Sequence, residues 1–383
     1  MSAVRTVPAN FGYGPDEALL RDQARKLLGE RAGVSQLRAR FTDPAAVYQR
    51  GELPGYDRAL FASCVELGWS ALSVPEASDG LGAKLVAISA LVEEMGRHAL
   101  PSPLLSTILS SFVLSQAGSE AGAAWLKRIT EGATLSLAIS GSKGAWDLDA
   151  TDVRATRQGE GLVLQGSAHF VQDAFKVDAF LVAARTDQGL CLAVVPKDAA
   201  GVSLEREHIV DLTRDQGRLT LTNVSASELV TSDALPVLQR AWPSVLTVVS
   251  ADLVGESEWL LQTTVEYAKT RKQFERTIGF FQAVKHQLVE AMVQIDLARS
   301  HLYHAAATID AGSEQAEVAA RMAKSAASDA AMYTAGRAIQ LHGGIGFTWE
   351  CDVHFFVKRA QHSAILYGDG VHQRKKLAEK LLG

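Results

Sequence analysis

Arg271, Gln273, Phe274 and Gln282 lie close together in the stretch YAKTRKQFERTIGFFQAVKH, Tyr267 to His286, with Lys269 and Lys272 beside them. A planar guanidinium holds a phosphate through two parallel N–H donors, and an aromatic ring nearby can stack on a flat heterocycle. The set suits a diphosphate joined to a flat ring system, as in a nucleotide. A second stretch, QLHGGIGF from Gln340 to Phe347, has glycines where a ligand would need a close-approaching backbone. Each stretch also has a plainer reading. A solvated arginine beside a core aromatic gives the first set of letters, and a helix C-cap gives the second.

The surrounding pattern shows what must position these residues. An apolar-periodic helix is expected over Leu235 to Arg271, a break at Gln273-Phe274-Glu275, a second helix from Gly279 to Ala311, and an alanine-rich helix from Glu314 to Leu341 that stops at the glycines. A last helix spans about Gly370 to Leu382. Between Thr134 and Val230 the texture changes to LSLAIS, LVLQGSAHFV, AFLVAAR, LCLAVVP and GRLTLTNV, runs of branched apolar residues punctuated by Gly, Asp and Asn. From Pro15 to Gly132 the pattern is helical. Asp16 is placed to cap a helix ending at Arg31, and others follow over Asp57 to Leu67, Leu85 to Arg97, Ser102 to Gln116 and Glu120 to Glu131, with a loop around Pro75. The expected class is α+β: an N-terminal α-helical domain (1–133), a middle β-barrel or sandwich domain (134–231) and a C-terminal four-helix bundle (232–383).

TRKQFERTIGFFQAVKHQL and RAIQLHGGIGF resemble the two C-terminal signatures of the acyl-CoA dehydrogenase family of flavoproteins. The likeness extends to ALSVPEASDGLG and EEMGRHALPSPLLST in the N-terminal part. It implies FAD as cofactor, an acyl-CoA thioester as substrate and an electron-transfer flavoprotein as electron acceptor. By the same resemblance Arg271, Gln273, Phe274 and Gln282 approach the FAD diphosphate and adenine from one subunit. Gln340, Gly343 and Gly344 approach it from the neighbour, so the site is made by a dimer. Ser140 stands where the family contacts the flavin pyrimidine, and Phe170 and Gln172 stand where a tryptophan and a threonine usually flank the ring. A core phenylalanine and a surface glutamine on a strand remain the other reading of that pair.

The chain departs from the family at the catalytic base. Desaturation requires a carboxylate to take the α-proton while the β-hydride leaves for the flavin. The family's glutamate, in a Tyr-Glu-Gly-Thr segment, aligns without gaps on Tyr367 of LYGDG, and its threonine on Asp369. An alternative glutamate on the helix before Arg271 aligns on Val245, followed by Leu246. Asp252, two turns on, reads as a partnered structural carboxylate. Asp369 is the candidate base, and equally a cap for the last helix, accepting from Val371 or His372. This pattern resembles a bacterial branch that handles bulky acyl-CoA esters, of steroid side chains or dicarboxylic chains, often with two unlike subunits of which one carries the glutamate. Three functions follow as expectations: an FAD-dependent acyl-CoA dehydrogenase subunit, a non-catalytic subunit that completes a partner's FAD site, or a flavin monooxygenase on the same fold.

Composition sets the outer bounds. The 383 residues carry a net charge of −5 with both signs interspersed, giving no basic field for nucleic acid. Three scattered cysteines, Cys64, Cys191 and Cys351, lack metal-site spacing, so no metal is expected and a reducing compartment is. The first residues lack the apolar core of a secretory signal, and no run reaches the ~20 apolar residues of a membrane span. The expectation is a cytoplasmic homodimer, homotetramer, or heteromer with a glutamate-bearing paralogue.

Overall fold

The computed structural model describes residues 12–41, 55–158, 161–226 and 228–383, so the reading of the first residues as free of a signal lies largely outside them. Among the described residues six helices come first: α1 (Pro15–Arg31), α2 (Val34–Ala39), α3 (Arg58–Glu66), α4 (Leu85–Arg97), α5 (Leu104–Ala117) and α6 (Glu120–Thr130). Asp57 caps α3 by accepting from the Leu60 N–H, and Ser119 caps α6 by accepting from Gly122. Asp16 does not cap α1. Pro15 already occupies the first helical position, where its missing N–H costs nothing, so Asp16 sits inside the first turn and Gly14 is the cap.

Eight strands follow: β1 (Leu135–Ala138), β2 (Arg154–Gln158), β3 (Gly161–Gln172), β4 (Ala179–Thr186), β5 (Gly189–Pro196), β6 (Val202–Arg206), β7 (Gln216–Ser225) and β8 (Glu228–Thr231). They form one sheet in the order β6-β7-β3-β2-β4-β5-β8, with β1 parallel to β4. The continuous apolar runs of β4 and β5 are explained by burial on both faces. Leu181, Ala183, Leu192 and Val194 join the core shared with the helices, while Phe180, Val182, Cys191 and Val195 join a second core on the far face. The polar strands β2, β6 and β8 escape a reading by hydrophobicity.

The C-terminal helices are α7 (Ala234–Thr270), α8 (Gln282–Asp310), α9 (Ala316–His342), α10 (Val353–Ile365) and α11 (Gly370–Leu382). The break after α7 is a tight hairpin of β9 (Lys272–Gln273) and β10 (Arg276–Thr277), its turn made by Phe274 and Glu275 at φ 52° and 60°. Helix α10 is not visible in the sequence pattern used above. Its buried face includes Arg359, His362 and Ser363, so polar letters occupy core positions.

Helices α4 and α7 cross in near contact at two glycines. A Cβ on Gly255 would lie 1.8 Å from the Glu93 carbonyl oxygen, and one on Gly96 would lie 2.1 Å from that of Asp252. The crossing fixes the α7 segment that carries Asp252 and Glu256. Among the described residues no helix is long and apolar enough to cross a membrane.

Candidate active site

A cavity of about 270 Å³ opens between the sheet and α10, lined by Trp146, Phe170, Gln216, His362, Ile365 and Leu366 with Gly144 and Ile209. Phe170 reaches it through an irregularity in strand pairing. The β3–β7 register shifts between Ala168 and Val171, and Phe170 adopts φ 58°, which re-aims its ring. The Trp146 ring stands 6.2 Å from it. Ser140 is buried and bridges to the same edge: its carbonyl accepts the His169 N–H at 2.9 Å. The structure thus brings Ser140, Phe170 and Gln172 to one part of the sheet, and of the three Phe170 lines the cavity.

Gln172 does not present a free amide to the cavity. Its Nε2 donates to the Phe170 carbonyl oxygen (3.1 Å) and to Gln216 Oε1 (2.8 Å), and its Oε1 meets His362 Nε2 at 2.7 Å. His362 was not singled out by sequence reading, because it lies on α10. Burial pushes its imidazole down to about 4, so it is neutral at pH 7.

The loop after α10 carries the positions where the base was sought. Tyr367 takes φ 56° and is buried, packed edge-on against Trp146 and Trp242 with centroids 5.3 and 5.2 Å away. Burial raises its phenol above the ordinary range. Fully buried Lys324 on α9 holds the loop, donating to the carbonyl oxygens of Ala364 (2.8 Å) and Gly368 (3.1 Å), while Gln373 Nε2 donates to that of Tyr367 (2.8 Å). Asp369 is exposed and caps α11, its Oδ1 accepting the His372 N–H at 2.8 Å. None of the residues lining the cavity carries a carboxyl group.

Beneath this loop lies a buried charge cluster. Asp252 accepts from Arg214, from Arg359 (2.7 Å) and from Ser363 (3.3 Å). Burial alone would raise its carboxyl, but the two guanidiniums outweigh that and hold it below the usual range. Glu256 Oε2 is 3.3 Å from Arg359 Nε, and burial, reinforced by Asp252, pushes Glu256 well above the ordinary carboxylate range. Asp252 is therefore the partnered structural carboxylate expected from its surroundings.

Arg271, Gln273, Phe274 and Gln282 sit apart from the cavity, at an exposed end of the helical bundle. Phe274 is 86% exposed. Gln340, Gly343 and Gly344 are exposed at the same end, where Tyr267 stacks on His342 at 4.2 Å. A Cβ at Gly344 would meet nothing within 4 Å, so packing within the chain does not require a glycine there. Space kept free of side chains beside an exposed arginine and aromatic suits a ligand or partner from outside the chain.

A model of the N-terminal domain of acyl-CoA dehydrogenases matches residues 15–133, and a model of their C-terminal domain matches residues 247–382. Acyl-CoA dehydrogenase IpdE2 of Mycobacterium tuberculosis is 30% identical over 92% of this chain and 93% of its own length. The chain belongs to the acyl-CoA dehydrogenase family. This acyl-CoA dehydrogenase resembles in structure a variant of the steroid ACAD Tcur3481–Tcur3483, with TM-score 0.85 and 27% identity over 96% of this chain and 98% of that one. The ChsE4–ChsE5 complex from M. tuberculosis has the same fold, with TM-score 0.86 and 24% identity over 97% and 99% of the two chains.

The family's cofactor is FAD, and the residues fit it. The cavity is close to the ~300 Å³ lower end for ligand sites and offers an aromatic wall for the flavin ring. Arg271 and the open glycines suit a diphosphate. Arg271→Ala is expected to weaken FAD binding by tens of fold, since a guanidinium–phosphate contact contributes about 2–3 kcal/mol. Equilibrium titration of FAD into flavin-stripped protein checks it, and an unchanged dissociation constant would remove Arg271 from the site.

Proposed function

We propose that this chain is an FAD-containing subunit of a cytoplasmic acyl-CoA dehydrogenase that desaturates a bulky acyl-CoA ester and passes its electrons to an electron-transfer flavoprotein. The observation that carries the reading is the cavity between the sheet and α10, aromatic-walled and sized for a flavin ring, with no carboxyl in its lining. FAD, when bound, supplies the two-electron acceptor. Desaturation removes an α-proton to a base and a β-hydride to that acceptor, so a base must be found. Asp369 is committed to its cap and Tyr367 is buried between two tryptophans, which supports a glutamate-bearing paralogue as the partner that supplies it. The bulky substrate is supported by the relative named as a steroid ACAD.

The diphosphate-suited residues do not line the cavity, which supports an FAD site completed by Arg271, Gln273, Phe274 and Gln282 of one subunit and by Gln340, Gly343 and Gly344 of its neighbour. A second reading, that this chain only completes the partner's FAD site, is favoured by the buried position of Tyr367. Flavin content of the isolated assembly separates the two: one FAD per chain fits the first, one per pair of chains the second.

Reoxidation tests the chemistry. Photoreduced protein is expected to pass electrons quickly to an electron-transfer flavoprotein and slowly to oxygen, followed by stopped-flow absorbance. Fast oxygen consumption coupled to substrate hydroxylation would instead mark a monooxygenase on this fold.

A further inference from the structure

A directed chain of hydrogen bonds runs from a carboxylate at the sheet surface to the cavity. Glu207 accepts from the Phe170 N–H (3.2 Å) and from Gln216 Nε2 (2.7 Å), Gln216 Oε1 accepts from Gln172 Nε2 (2.8 Å), and Gln172 Oε1 faces His362 Nε2 (2.7 Å). Glu207 Oε1 also stands 3.7 Å from His169 Nδ1. The orientation of the Gln172 amide is forced, because its Nε2 donates to the Phe170 backbone carbonyl, which only accepts. Gln172 Oε1 must therefore receive its proton from His362 Nε2. A neutral imidazole with its proton on Nε2 has a bare Nδ1, and that atom has no partner among the described residues. His362 is 6% exposed and lines the cavity. On a ring that lines the cavity, that acceptor is open to a donor from whatever fills the space.

We propose that Gln172, its amide oriented by the Phe170 carbonyl and by Gln216, fixes the tautomer of His362 so that its Nδ1 accepts a hydrogen bond from an N–H or O–H of FAD at the ring end, the ring imide or a ribityl hydroxyl. His362 is then a cofactor-binding residue and Gln172 a positioning residue. The arrangement rests on the reading that this chain holds FAD in its own cavity.

The test is FAD binding to flavin-stripped protein, with the visible absorption spectrum of the bound flavin as second readout. His362→Phe keeps the ring volume and removes the acceptor. Gln172→Met keeps the side-chain length and removes the acceptor that holds the proton on Nε2, so the ring can take either tautomer. Each is expected to weaken FAD about three- to tenfold, as loss of one hydrogen bond does, and to shift the flavin band. In the His362→Phe background, Gln172→Met should have no further effect, because Gln172 acts through that ring. Should Gln172→Met not fold, Gln172→Leu removes the same acceptor and should give the same loss. Reconstitution with 3-methyl-FAD and with 2′-deoxy-FAD identifies the donor: the analogue lacking it should be insensitive to His362→Phe. Equal FAD affinity in wild type, His362→Phe and Gln172→Met, or additive losses in the double variant, would overturn this inference alone. A wild type that takes up no FAD would overturn the reading it rests on as well.

Discussion

Asp252→Ala is expected to cost about 3–5 kcal/mol of folding stability, because it leaves two guanidiniums buried without their shared counter-charge. Arg214 and Arg359 are both almost fully buried, and both donate to this one carboxylate. Neither can turn to Glu256 for full compensation, since that carboxyl is held toward its neutral form by burial and by Asp252. Urea unfolding should show a lowered midpoint with an unchanged slope. A loss below about 1 kcal/mol would mean that solvent reaches the cluster. The same carboxylate has an acid signature. Its folded-state pKa is depressed, so the stability it contributes is present above its ordinary value near ~3.9 and is lost as pH falls through the lower, folded value.

Flavin reduction by acyl-CoA is expected to be slower by ~10² to 10⁴ in this chain alone than in an assembly with a glutamate-bearing paralogue, which is the usual worth of a positioned proton-transfer group. Three titratable groups near the cavity fail as a base for a physical reason. Tyr367 is pushed above the usual phenol range by burial, and His362 is pushed down to about 4, too weak to hold an abstracted proton at pH 7. Asp369 already accepts the His372 N–H on an exposed helix end. Asp369→Asn should therefore cost about 1 kcal/mol of stability, as a weakened cap does, and leave the rate of reduction in the assembly unchanged. Complete loss of reduction in Asp369→Asn, with FAD content and Tm unchanged, would make Asp369 the base.

The elements that were legible in the sequence are those whose burial follows a single period. The runs of β4 and β5 read as strands because both faces are buried, and α7, α8 and α9 read as helices because their apolar residues recur with helical spacing. Helix α10 escapes the sequence pattern because its buried face includes the polar residues Arg359, His362 and Ser363, whose partners Thr213, Gln172 and Asp252 lie far away in sequence. For the same reason the sequence could name Phe170 and Gln172 but not His362 or Glu207. Their relation exists only once β3, β7 and α10 are packed together. A hairpin rather than a bare corner at Phe274 was likewise hidden, since two non-glycine residues supply the left-handed turn.

Anaerobic titration of the co-expressed assembly with a steroid side-chain CoA ester, following the flavin absorbance and the acyl product together, is the most direct test of desaturation by a shared assembly. The predicted result is a yellow assembly whose flavin is bleached as the saturated ester becomes the α,β-unsaturated one, with the bleaching abolished when the partner's glutamate is changed to glutamine. A colourless assembly that cannot be reconstituted with FAD, or a bound flavin that no acyl-CoA reduces, would contradict it.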